Sequence, residues 1–149
     1  MNNLYEPATV ESMRARVARI STGGQKQWGK MTAAQAMAHC AVGFEMALGE
    51  QKAPRMLLGR LFGGIAKRSA LNEKPLPKNS PTSPAFIITG DRDLPRECER
   101  LSVLIARFAA AGPAGCTTHP HAFFGPLTPR EWAILMYKHT DHHLRQFGA

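Results

Sequence analysis

Val10, Met13, Val17 and Ile20 recur at helical spacing, with Arg14, Arg16 and Arg19 in the turns between them. Pro7 suits a first turn and "STGG" is a stop signal, so the pattern predicts a first helix over about 8–20. In "WGKMTAAQAMAHCAVGFEMALGE", Thr32 and Gln35 form a capping-box pair, the hydroxyl meeting one orphan amide and the side-chain amide reaching back to another. From Ala33 to Leu48 only Glu45 is charged, and a helix apolar nearly all round is a buried one. The second helix is therefore central.

"PRMLLGRLFGGIAKRSA" is apolar at Met56, Leu57, Leu58, Leu61, Phe62 and Ile65 but interrupted by Gly59, Gly63 and Gly64. It reads as an additional short helix or an irregular excursion. Pro75, Pro77, Pro81 and Pro84 make 71–92 a long loop, the length that in compact domains goes with function or mobility. "AFIITG" is the one candidate strand. A further helix starts near Asp93, with Pro95 in its first turn, and should bury Cys98, Leu101, Leu104, Ile105 and Phe108. After "CTTHPHAFFGPL", the triad Thr128, Pro129 and Glu131 opens a last helix over about 129–146. No repeat is present. The expected architecture is an all-α, four-helix bundle with one extra segment and long loops, one domain over 1–149.

On the last helix, with Trp132 at zero and about 100° per residue, Leu135, Gln146, His139, His143, Met136 and Phe147 fall within roughly 60° of Trp132. Arg130, Glu131, Lys138, Asp141 and Arg145 gather opposite, and His142 lies at the edge of the apolar stripe. Ile134 interrupts the polar side and, if exposed, could mark a contact with another segment or with a second subunit of a homodimer.

Two imidazoles four residues apart on one face stand with Cβ atoms about 5–6 Å apart. Buried imidazoles need partners for their ring nitrogens, and an i,i+4 pair suits a divalent metal. The plain alternative is two core histidines bonded to backbone or hydroxyl groups. The second helix supplies one imidazole, His39, among Ala36, Met37, Cys40, Val42 and Gly43, and a neighbouring helix in a bundle can bring it against the last. Three histidines would leave coordination positions open, as catalytic sites do. Cys40 is a rival donor but is rotated about 100° from His39; it fits better as a small buried hydrophobe. His121 could be a gate, a fourth ligand or a proton shuttle, or a loop histidine held by backbone. Gln146 could orient a ligand's second nitrogen or simply pack. His142 reads as a rim residue, His119 as exposed, Trp28 as core, and Glu45 as solvated, although it is the nearest candidate for a general base.

Composition changes this picture little. The formal charge of +8 could attract acidic partners, yet the Lys and Arg are dispersed and Tyr and Trp are few, so no nucleic-acid partner is expected. No run is long enough to span a bilayer and no membrane partner is expected. "MNNLYEPATV" has no secretory pattern, and Cys40, Cys98 and Cys116 show no CxxC spacing, which suits reduced thiols in a cytoplasm. No Glu is followed by His three positions on, so a carboxylate-bridged di-iron centre is set aside; there is no GxSxG, P-loop or dinucleotide fingerprint.

His39 alone on the second helix, with "HTDHH" and Gln146 on the last, resembles the DinB/YfiT-like superfamily. The blocks "WGKMTAAQAMAHC", "HAFFGPLTPREW" and "YKHTDHHLRQFG" are similar to an uncharacterised branch of it. That resemblance implies a four-helix bundle with a divalent metal such as Zn, Ni or Fe on His39, His139 and His143, and often a dimer. It also implies a small-molecule substrate, with hydrolysis or transfer of a low-molecular-weight thiol as the chemistry. Many members carry Arg-Gly-Gln after the second helical histidine, where this chain has Leu144, Arg145 and Gln146. The competing reading is a non-enzymatic basic bundle, binding a protein or nucleic acid, with structural histidines.

Overall fold

In the computed structural model, residues 1–80 and 86–149 are described. They form α1 (Pro7–Ser21), α2 (Ala33–Ala47), α3 (Leu57–Ala70), α4 (Leu94–Ala111) and α5 (Pro129–Gln146), with one 3-10 turn at Pro113–Gly115. Among the described residues no strand forms. Ile87 to Gly90 of the candidate strand join no ladder, and a lone strand leaves its ladder groups unsatisfied. Ala85 of that stretch, with Pro81 and Pro84 of the proline-rich loop, lies outside the described residues.

Local chemistry sets the helix starts. Both capping boxes close: Gln35 N donates to Thr32 Oγ1 at 3.1 Å and Thr32 N to Gln35 Oε1 at 3.0 Å. Glu131 N donates to Thr128 Oγ1 at 3.2 Å and Thr128 N to Glu131 Oε2 at 2.8 Å. Asp93 caps α4 by accepting from Arg96 N. α2 and α1 each pack against both α4 and α5, which makes the four-helix bundle. Met13, Val17, Ile20, Met37, Phe44, Leu101, Ile105, Phe108, Trp132 and Leu144 are buried at its centre.

α3 stands outside this bundle and, with the segment that follows it, reaches the side of α5 that the helical wheel left polar through a few polar contacts. Lys67 Nζ pairs with Glu131 at 2.8 Å and donates to the Pro126 carbonyl at 3.0 Å. Just past α3, the Asn72 carbonyl accepts from Lys138 Nζ at 2.6 Å. Ile134, on the same side of α5 between Glu131 and Lys138, is buried, and so is Lys138. Ile134 therefore offers no subunit contact, and Lys138 does not lie on a solvated face. The wheel describes one helix and carries no information about a distant segment folding over it.

α3 itself meets the protein through its smallest residues. Gly59, Gly63 and Ala70 are buried, whereas Leu57, Leu58, Leu61, Phe62 and Ile65 face solvent. A Cβ on Gly63 would stand 2.3 Å from the Phe123 carbonyl oxygen, and one on Gly59 2.5 Å from it. Only glycine permits that approach, and it holds α3 on the Phe123 backbone with its large apolar side outward.

Candidate metal centre

The contact of α2 with α5 brings His39 to His139 and His143. One ring nitrogen from each of the three lies within 4.8 Å of the others. The nearest pair, His39 Nε2 and His139 Nε2, are 2.8 Å apart. The rings meet edge to face, with centroids 4.7 Å apart for His39 and His139, 5.1 Å for His39 and His143, and 5.0 Å for His139 and His143. His39 and His143 are buried, and His139 is partly open to solvent.

The second nitrogen of two of these rings is already committed. His39 Nδ1 lies 2.9 Å from the Phe86 carbonyl oxygen, which only accepts, so His39 donates there and keeps its lone pair on Nε2. His143 Nδ1 lies 2.8 Å from Gln146 Oε1. Gln146 Nε2 donates to the Trp28 carbonyl at 2.9 Å, which fixes the amide's orientation and makes His143 the donor. His143 therefore also keeps its lone pair on Nε2. Between His39 and His139 the short approach holds one proton or one cation, since two bare lone pairs would repel.

The sequence folds this way at close quarters. The chain before α2 crosses the end of α5 at Gly29, where φ is +81° and a Cβ would stand 2.3 Å from Gln146 Nε2. A left-handed backbone with no side chain is what lets the Trp28 carbonyl reach Gln146.

Burial dominates the electrostatics. It lowers the pKa of His39, opposed by the bond to Phe86. It takes His143 down to about 3, with His39 adding to the effect. His139 falls well below the usual range through burial and then through its neighbours His39 and His143. All three imidazoles are thus neutral at neutral pH, the state that can ligate.

The donor set fits a divalent metal. Nitrogens on a tetrahedral zinc stand about 3.4 Å apart, and about 3.0 Å apart when the bonds meet at right angles. The spread here, from 2.8 Å to within 4.8 Å, brackets those values. Outer-shell acceptors on the far nitrogens are the usual company of ligating histidines.

The other candidates separate. His121 Nδ1 accepts from Phe123 N and Phe124 N, both at 3.1 Å, so its proton sits on Nε2 and the ring acts as a hydrogen-bond donor. It stacks on Phe124 and leans on Trp132, with its pKa lowered to about 4 by burial and by Arg55. It is not one of the three converging imidazoles. His142 is buried edge-on to His143 and to Trp28, and burial lowers its pKa. Its Nδ1 and the Trp28 Nε1 are buried without a partner among the described residues. Trp28 is not core: it is half-buried over His142, with Lys78 Nζ 4.5 Å from its ring centre. His119 is half-buried, its Nε2 3.2 Å from the Ala53 carbonyl oxygen. Glu45 pairs with Arg100, which also pairs with the buried Glu97, so it is an ion-pair partner on the α4 side of α2. Cys40 is buried, and burial raises its thiol pKa.

Two contributors were invisible in the sequence: the carbonyls of Phe86 and Trp28, which carry no side-chain signature. Gly29 is the one legible trace, since "WGK" places a glycine just ahead of a strong helix start. A surface cleft of about 320 Å³ lies on the opposite side of α5, lined by Asn72, Lys74, Leu76, Tyr137, Lys138 and Asp141, and none of the three histidines lines it.

Fold and site together define an all-helical bundle protein whose three histidines could hold a metal ion. Residues 6–149 match the family described as "Protein of unknown function (DUF1569)", and the chain belongs to that family. No curated protein and no solved structure matches it.

Proposed function

We propose that this chain is a metal-dependent enzyme acting on a small molecule, with a divalent ion on Nε2 of His39, His139 and His143. The observation that carries the reading is the pairing of convergence with commitment: three ring nitrogens meet, and the far nitrogens of two rings are tied to Phe86 and Gln146. A structural histidine cluster has no need to commit the far nitrogens of two buried rings so that both near nitrogens keep their lone pairs toward a third imidazole.

When bound, the ion would supply a Lewis acid that polarises a carbonyl or lowers the pKa of water or a thiol. The protein's own groups do the rest. Partly open His139 marks the side from which a small molecule would approach. The His121 Nε2–H, held by two backbone amides, can donate to a developing negative oxygen but cannot act as a base in that tautomer. The resemblance to the DinB/YfiT-like superfamily supports hydrolysis or low-molecular-weight thiol transfer. Three free cysteines are compatible with a reducing compartment such as the cytoplasm.

The test is metal analysis of protein purified without a polyhistidine tag. One divalent ion per chain is expected, with Zn, Ni and Fe distinguished by their absorption edges, and none in His143→Ala. Folded, metal-free protein that takes up no added ion, with wild-type stability in His39→Ala and His139→Ala, would overturn it.

A further inference from the structure

Away from the histidines, the outward side of α3 is the most anomalous surface of the molecule. Leu57, Leu58, Leu61, Phe62 and Ile65 are between 55% and 76% exposed. At about 100° per residue they occupy an arc of roughly 140°, a continuous stripe. Together they present roughly 600 Å² of apolar surface, the upper end of what a soluble monomer leaves uncovered. The helix cannot roll this stripe inward, because Gly59 and Gly63 are locked against the Phe123 backbone.

We infer that this face docks α3 on an anionic lipid surface. Charge selects the occupant. α3 carries no acid. Arg60 and Arg68 are exposed on it, and among the described residues neither is in an ion pair. The whole chain is at +8. An isologous contact between two copies would set Arg60 and Arg68 against the same arginines of its mate, with no acid on either helix to offset them. Nucleic acid would meet the arginines but has no use for five aliphatic and aromatic side chains. A lipid surface takes both: headgroups meet the arginines and the acyl boundary meets the stripe. Shape agrees, since the stripe is the ridge of one projecting helix, not a groove. Among the described residues no helix is long and apolar enough to cross a membrane, so α3 would lie in the interface plane.

The experiment is sedimentation of the full chain with vesicles of phosphatidylcholine alone or mixed with phosphatidylglycerol, with circular dichroism to show that each variant is folded. Wild-type protein should bind the mixed vesicles at low salt, lose affinity as salt rises, and bind phosphatidylcholine alone far less. Arg60→Gln/Arg68→Gln should weaken binding by about thirtyfold, at about fivefold for each charge. Leu61→Gln/Ile65→Gln should abolish it at unchanged charge. Three outcomes would overturn the inference: no binding by folded wild type at low salt; binding indifferent to Leu61→Gln/Ile65→Gln, which is bare electrostatic adsorption; or a wild-type dimer that those substitutions convert to monomer, which gives the face to a second copy.

Discussion

Gln146 shows how much one side chain can govern at this site. Its amide oxygen takes the His143 proton and its amide nitrogen holds the Trp28 carbonyl, so one residue fixes both the tautomer of a candidate ligand and the chain ahead of α2. Gln146→Leu keeps the volume and removes both bonds. The expected result is a 10–100-fold loss of metal affinity with the ion still bound in equal stoichiometry, read by competition against a chelator. Unchanged affinity would show that His143 needs no second partner. The role of this residue was half legible in the sequence. The angular position of Gln146 beside His143 follows from helix geometry, but which atoms it bonds does not, because Trp28 is 118 residues away along the chain. His39 has the same limit: its burial follows from the apolar run around it, and its bond to the Phe86 carbonyl from nothing local.

At the scale of elements, glycines divide α3 into two cases that differ only in what faces them. Gly63 lies against the Phe123 carbonyl, so Gly63→Ala must push the helix off its seat and is expected to destabilise by about 1–3 kcal/mol. Gly64, one residue on, has nothing within 4 Å, so Gly64→Ala should stabilise by up to about 1 kcal/mol through helix propensity alone. Chemical denaturation of the two variants checks the pair, and equal effects of the same sign would refute the seating of α3 on that backbone. In the sequence these glycines read only as helix-weakening. That α3 forms at all, and with its small side inward, comes from contact with the 121–127 loop, outside any local window. By contrast, the starts of α2 and α5 were legible to the residue, because a cap is satisfied by atoms three positions away, and that of α4 was placed near its capping Asp93.

For the molecule as a whole, the buried imidazoles set a pH dependence. His39, His139 and His143 all have pKa values below that of an unfolded histidine, about 6.5. Once the pH is below that value the unfolded chain holds more protons than the folded one, so stability falls as the pH falls; well above it these groups add no slope. Each histidine contributes up to a tenfold change in the folding constant per pH unit, and for His143 the loss continues to about pH 3. Urea unfolding of metal-free protein should therefore show a marked drop in midpoint between pH 7 and pH 5, with a shallower slope in His39→Ala/His143→Ala. A flat wild-type profile over that range would mean the rings are solvated.

By itself the sequence determined what depends on near neighbours: the capped helix starts, the apolar stripe of α5 with His139 and His143 on it, and the apolar surroundings of His39. Helix geometry repeats every few residues, so composition within a window settles which side chains share a face. Only the tertiary structure decided what depends on distance. It set His39 against His139, tied the far nitrogens to Phe86 and Gln146, buried Ile134 and bonded the buried Lys138 to the Asn72 carbonyl, and left the large side chains of α3 facing out. Those outcomes turn on which segments come together across the chain, and a carbonyl oxygen or a distant segment leaves no local mark on the residues it meets.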